Sequence, residues 1–136
     1  MANHKIHDVE GIGPVRREKF LAAGIKDTDG LLKSTKTPKQ RKSLAEKTGI
    51  SEKWILKFAN MADLYRVKGI SSEYSQLLEA AGVDTVVELA TRVPKNLHTK
   101  VSAVNKEKKN TRQPPSLAEI TGWIEEAKKL PRVLEY

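Results

Sequence analysis

The residues Val9-Glu10-Gly11-Ile12-Gly13-Pro14-Val15-Arg16-Arg17-Glu18-Lys19-Phe20-Leu21-Ala22-Ala23-Gly24-Ile25 decide how the rest of the chain is read. They describe a tight turn feeding a short helix. Gly11 and Gly13 permit backbone angles and close approaches that a side chain would block. Pro14 suits the first helical position, where an N–H would go unpaired in any case, and Gly24 falls where a helix closes in a left-handed cap. The spacing predicts a helix over 14–23. A turn of this kind leaves N–H groups pointing out of a helix N-terminus, a place that favours an anion.

The stretch returns later in the chain. Val9, Gly11 and Ile12 recur 58 positions on as Val67, Gly69 and Ile70. Ala22-Ala23-Gly24-Ile25 recurs as Ala80-Ala81-Gly82-Val83, and Leu31 as Leu89, without a gap. Further on, Trp54-Ile55 is echoed by Trp123-Ile124, and Leu64-Tyr65-Arg66-Val67 by Leu130-Pro131-Arg132-Val133. The extra residues of the second copy then fall in 105–115. A period near 60 exceeds the roughly 20–50 residues of solenoid repeats and reads as one duplicated module. The modules are 1–66 and 67–136, joined rigidly through a helix over 52–65, because Asp63-Leu64-Tyr65-Arg66 runs into Val67-Lys68-Gly69 with no linker.

Gly11-Ile12-Gly13-Pro14, followed by Glu18-Lys19-Phe20 and Ala23-Gly24-Ile25, resembles the glycine hairpin and second helix of a helix-hairpin-helix motif. That resemblance implies contact with the phosphodiester backbone without sequence preference, as in DNA repair, recombination and replication proteins. Leu44-Ala45, Thr48-Gly49-Ile50-Ser51 and Trp54-Ile55 resemble a degenerate second motif, so the first copy resembles a pair of motifs about a pseudo-twofold axis. The whole layout also resembles an uncharacterised family of small bacterial proteins with duplicated helix-hairpin-helix units, whose role is undetermined. The stretches that carry this likeness are Gly11-Ile12-Gly13-Pro14, Pro38-Lys39-Gln40-Arg41-Lys42, Leu44 to Glu52, Leu78 to Thr85 and Lys129-Leu130-Pro131-Arg132-Val133.

With 136 residues the chain suits one domain or two small ones sharing a core. It has no cysteine, which removes disulfide and thiolate chemistry and makes a reducing cytoplasm the expected location. No apolar run is long enough for a membrane span, and nothing reads as a signal peptide. The net charge of +8 permits nucleic-acid binding. The excess is uneven: residues 1–66 hold 14 Lys/Arg against 8 Asp/Glu, and residues 67–136 hold 11 against 9.

Along the chain the pattern is helical throughout, an all-α fold of tandem modules packed as one compact unit. A brief helix is expected over 28–33. Thr37-Pro38-Lys39-Gln40 is a capping box opening a helix that stops at Gly49, and Ser51 caps the next one. There Trp54, Ile55, Phe58, Met61, Ala62 and Tyr65 share one face and read as core. In the second copy Ser71 replaces the second glycine as an N-cap. Tyr74, Leu77, Leu78 and Ala81 form the next apolar face. Thr85 to Glu88 is another capping box opening a helix to Arg92, and a helix from Pro94 ends near Asn105. Residues 106–115 read as an exposed loop, and Ser116 to Glu119 caps a last helix carrying Ile120, Trp123, Ile124 and Ala127. His4 and His7 are too few for a metal site and read as solvated.

The functional expectation centres on the first turn. Positive charge in a helix's first turn opposes the macrodipole at roughly 0.3–1 kcal/mol per residue, so Arg16-Arg17 calls for a reason. The second copy has Glu73 there, and Arg16 and Lys19 align with Tyr74 and Leu77. Gly11, Ile12, Gly13, Arg16, Arg17 and Lys19 are therefore expected to bind phosphate, with Lys39, Arg41 and Lys42 extending the track. Gly69, Ile70 and Ser71 form the second hairpin. In helix-hairpin-helix proteins the place of Arg17 is usually a small residue, as Ser75 is, so Arg17 alternatively lies along the N-terminal segment with its head in water. No acid/base set, metal cluster, cofactor site or small-molecule substrate is evident, and no enzyme is expected. The alternative is an adaptor that kept the fold without DNA binding, meeting a protein partner through the Tyr74/Leu77 face or an exposed part of the aromatic helix.

Overall fold

The first turn bends because Gly11 takes φ +90°, and the second because Gly69 takes φ +94°, values that L side chains avoid. Each glycine also lies on an aromatic ring. A Cβ on Gly11 would stand 3.1 Å from Phe58 Cε1, and one on Gly69 would stand 3.1 Å from Trp123 Nε1. In both turns the amide of the fourth residue closes on the carbonyl of the first, Ile12 on Val9 and Ile70 on Val67, each at 3.1 Å.

A computed structural model describes residues 3–108 and 113–136. Among them run eight α-helices: α1 Pro14–Ala22, α2 Thr28–Lys33, α3 Pro38–Thr48, α4 Glu52–Leu64, α5 Ser72–Ala80, α6 Val86–Ala90, α7 Pro94–Lys108 and α8 Leu117–Lys129. A 3-10 turn over Ile6–Asp8 precedes them. The described residues contain no strand, only an isolated bridge between Lys5 and Asp27. Caps set the boundaries. Thr37 with Gln40, and Ser116 with Glu119, form reciprocal capping boxes, Asp27 accepts from Gly30 N, and Ser51 accepts from Trp54 N. The bond from Gly30 holds the Asp27 carboxyl below its ordinary pKa.

α4 packs on α2 and α3, while α8 packs on α6 and α7; α1 meets α3, and α5 meets α7. Two buried clusters result. One gathers Phe20, Leu31, Leu44, Ile55, Phe58 and Tyr65, the other Leu64, Leu78, Leu89, Val101, Trp123 and Ile124. α4 contributes to both through neighbouring turns. At its end the Tyr65 hydroxyl lies 2.9 Å from the Ser72 hydroxyl, and both reach the carbonyl of Asp8. This contact ties the approach to the first turn onto the first residue of α5.

Arg66 is buried and joins the halves. Its two terminal nitrogens donate to Pro131 O at 2.8 and 2.7 Å, and its Nε stands 3.1 Å from Asp63 Oδ1. The other Asp63 oxygen accepts from Val86 N at 2.8 Å, at the start of α6. Burial pushes the Asp63 carboxyl above its ordinary pKa, with the Val86 amide and the Arg66 charge pulling the other way. Past Pro131 the chain returns to the first half, where Leu134 enters the first cluster and Tyr136 Oη donates to Asn60 Oδ1 at 2.6 Å.

The structure departs from the sequence reading in several places. Trp54 is not core: it is 38% exposed, whereas Ile55, Phe58, Met61, Ala62 and Tyr65 are buried. Nor do Trp54 and Trp123 occupy comparable places. Phe58 and Trp123, 65 positions apart, are the rings beneath Gly11 and Gly69, and at the same spacing Ile55 and Ile120 are both fully buried. Ser71 makes no side-chain cap bond. Thr85 accepts from Glu88 N, but the Glu88 side chain takes the Asp84 amide, so the box is half formed, and α6 ends at Ala90. α7 runs on to Lys108, and residues 109–112 of the expected loop lie outside the described residues. His4 is half-buried and meets the Tyr65 ring edge-on at 4.9 Å, because the N-terminal segment pairs with residues 26–28 through Ile6 N to Lys26 O and Thr28 N to His4 O.

Two stability outcomes follow from this packing. Gly11→Ala and Gly69→Ala each lose about 1–2 kcal/mol in urea unfolding, from left-handed strain alone. Gly13→Ala loses far less, because Gly13 has φ −83° and nothing stands within 4 Å of its Cβ position. Arg66→Ala costs about 3–5 kcal/mol by leaving Asp63 buried without its charge partner, and the double variant Asp63→Asn/Arg66→Met recovers part of that loss.

Candidate functional site

The N-terminus of α1 is open. Gly13 caps it with no side chain, Pro14 has no N–H, and the first helical bond runs from Arg17 N to Gly13 O at 2.9 Å. Among the described residues, the amides of Val15 and Arg16 therefore lack an acceptor, and no acidic residue lies in this first turn. Space above Gly13 is clear. The second turn is arranged differently: Glu126 Oε2 takes the Lys68 amide at 2.9 Å, and Glu73 sits in the first turn of α5. Both helices open without a side-chain cap, and they differ in that Glu73 stands in the first turn of α5 while α1 has basic residues and no acid there.

Of the residues singled out from the sequence, Gly11, Gly13, Gly69 and Ser71 are exposed, while Ile12 and Ile70 are buried, so these isoleucines offer only backbone. Arg16 and Arg17 part company, as neighbours about 100° apart on a helix must. Arg16 donates from Nη1 to Gly11 O at 2.8 Å, and its guanidinium carbon stands 4.5 Å from the centre of the Trp54 ring. It braces the turn and is still half-exposed. Arg17 is exposed with no side-chain partner among the described residues, and lines a shallow groove with Lys5, His7 and Lys26. Arg17 thus lies beside the N-terminal segment, exposed to solvent. A 3-10 turn, not a long helix, precedes α1, which gives a large side chain room where the corresponding Ser75 is fully buried.

Lys19, Lys39 and Lys42 are exposed. Arg41 is not. It is 6% exposed and donates to Thr35 O at 2.8 Å and Glu135 O at 2.7 Å, fastening the C-terminal segment, so it leaves the expected phosphate track. The Tyr74/Leu77 face is partly covered. Leu77 is buried, and Tyr74 packs on Trp123 with ring centres 5.1 Å apart.

Sequence reading missed the outer face of α4. Lys53, Trp54 and Lys57 stand there at helical spacing, beside Arg16 and along a groove of about 380 Å³. The alternation of Lys with aromatic residues was the available signal, but helical periodicity had assigned Trp54 inward. Among the described residues no group of three or more His, Asp or Glu could hold a metal ion, and no helix is long and apolar enough to cross a membrane.

Fold and site define a small all-helical protein with an uncapped, basic helix N-terminus. Residues 10–130 match the family described as Domain of unknown function (DUF4332), and the chain belongs to that family. No curated protein and no solved structure matches it significantly.

Proposed function

We propose that the protein binds nucleic acid without sequence preference, holding the phosphate backbone at the first glycine turn. The reading takes the chain as two helix-hairpin-helix modules of which only the first kept its grip. The observation that carries it is the α1 N-terminus, with unpaired amides at Val15 and Arg16, no acid in its first turn, and Arg16 and Arg17 on either side. Backbone donors at a positive helix end favour a phosphate oxygen, and flanking guanidinium groups supply the charge that releases counterions. Lys19, Lys39 and Lys42 extend the positive field. The second turn, with Glu126 on its amide and Glu73 beside it, serves the fold.

No catalytic step is part of this reading, and a cell compartment that keeps thiols reduced suits a chain without cysteine. Of the two surfaces the adaptor alternative would use, the Tyr74/Leu77 face packs on Trp123, while the aromatic helix does expose Trp54; the cations beside that indole favour nucleic acid there.

Fluorescence anisotropy with labelled duplex and single-stranded DNA across a salt series tests the proposal. Wild-type affinity falls steeply with salt. Arg17→Ala, which removes no internal contact, flattens the log–log slope by about 1, and Arg16→Ala/Arg17→Ala by about 2. Equal slopes and affinities in all three proteins would overturn it.

A further inference from the structure

Of the large aromatic side chains within the helices, Phe20 and Phe58 are fully buried, Trp123 is 5% exposed and Tyr74 is half-buried, yet Trp54 is 38% exposed. Its ring is backed by Phe58 at 5.7 Å, with Arg16 at 4.5 Å and the Lys57 ammonium at 5.2 Å from its centre. The rest of the indole opens into the groove along α4, which is lined by Lys53 and Lys57 and also by Glu79 and Asp84. Lys57 and Glu79 stand 3.9 Å apart, and both are over a third exposed, so this pair is weak and a phosphate can replace the carboxylate.

We infer that Trp54 is a stacking platform for an unpaired base, which makes single-stranded nucleic acid the preferred form of ligand. The inference rests on the phosphate-binding reading above and names its substrate class. An exposed indole held by Phe58 and by two cations that lie over its ring, and that are free to turn to phosphate when a base takes their place, is what base stacking with backbone neutralisation needs. The same three groups already hold the indole's orientation, so little ordering is left for the ligand to drive. A duplex keeps its bases paired inside and cannot offer one to the indole. Asp84 repels phosphates, so the strand lies toward Lys53 and Arg16, and its footprint on the groove is short.

Tryptophan emission gives the test, because the chain has two tryptophans and Trp123 is buried. A 12-residue oligothymidylate is expected to quench the emission, and a 12-base-pair duplex to leave it nearly unaltered. Trp54→Leu should lower the ratio of single-strand to duplex affinity about 5- to 100-fold, and Trp54→Phe should retain much of the preference with the quenching gone. Circular dichroism melts confirm that both variants fold. Binding of both DNA forms with equal affinity, unaltered by Trp54→Leu, would overturn the stacking platform and leave phosphate binding standing. Binding of neither form at low salt would remove the phosphate reading, and this inference with it.

Discussion

A glycine backbone laid directly on an aromatic ring holds this structure in shape. Gly11 on Phe58 and Gly69 on Trp123 each combine a positive φ with an approach that leaves no slack for a Cβ. Nothing larger fits without strain, and the ring cannot withdraw, because Phe58 and Trp123 are the cores of their clusters. The pose of each turn, and hence the direction of the helix that leaves it, is fixed by one contact between backbone and ring. That rigidity lets the first turn hold bare amides toward solvent without closing over them.

Similar turns with different surroundings give the molecule its asymmetry. In the second half the turn is consumed internally: Lys68 N is taken by Glu126, the face beyond it is covered by Tyr74 on Trp123, and the buried Arg66 draws the chain at Pro131 toward α4. In the first half Glu10 belongs to the turn itself, but no acid stands in the first turn of α1, and Arg16 braces the turn by bonding a carbonyl, which leaves its positive charge in place. Arg41, read from the sequence as part of the binding surface, instead fastens the C-terminal segment to α3. Charge excess alone therefore does not locate a site; the partners of each cation do.

Much of the architecture is legible in the residues because its signals are local. Prolines at 14, 38 and 94 open helices, Gly49 at φ +74° ends one, and the capping boxes at Thr37 and Ser116 form as their spacing requires. What stayed hidden depends on contacts distant in sequence. Trp123 matches Trp54 by letter but takes the place of Phe58, and only the packing under the two glycines reveals it. The path of residues 132–136 has no periodicity to betray it. The burial of Arg41 and Arg66 follows from carbonyls at Glu135 and Pro131, far along the chain. For the site, the open α1 N-terminus was legible, but the divergence of the two arginines and the exposed indole were not.

Backbone amide shift mapping by NMR with a short single-stranded oligonucleotide tests the difference between the two turns most directly. The amides of Gly13, Val15 and Arg16 are expected to move together and saturably, while Lys68 and Ser72 at the second turn stay in place. Shifts of equal size at both turns, or none at Gly13, Val15 and Arg16, would contradict it.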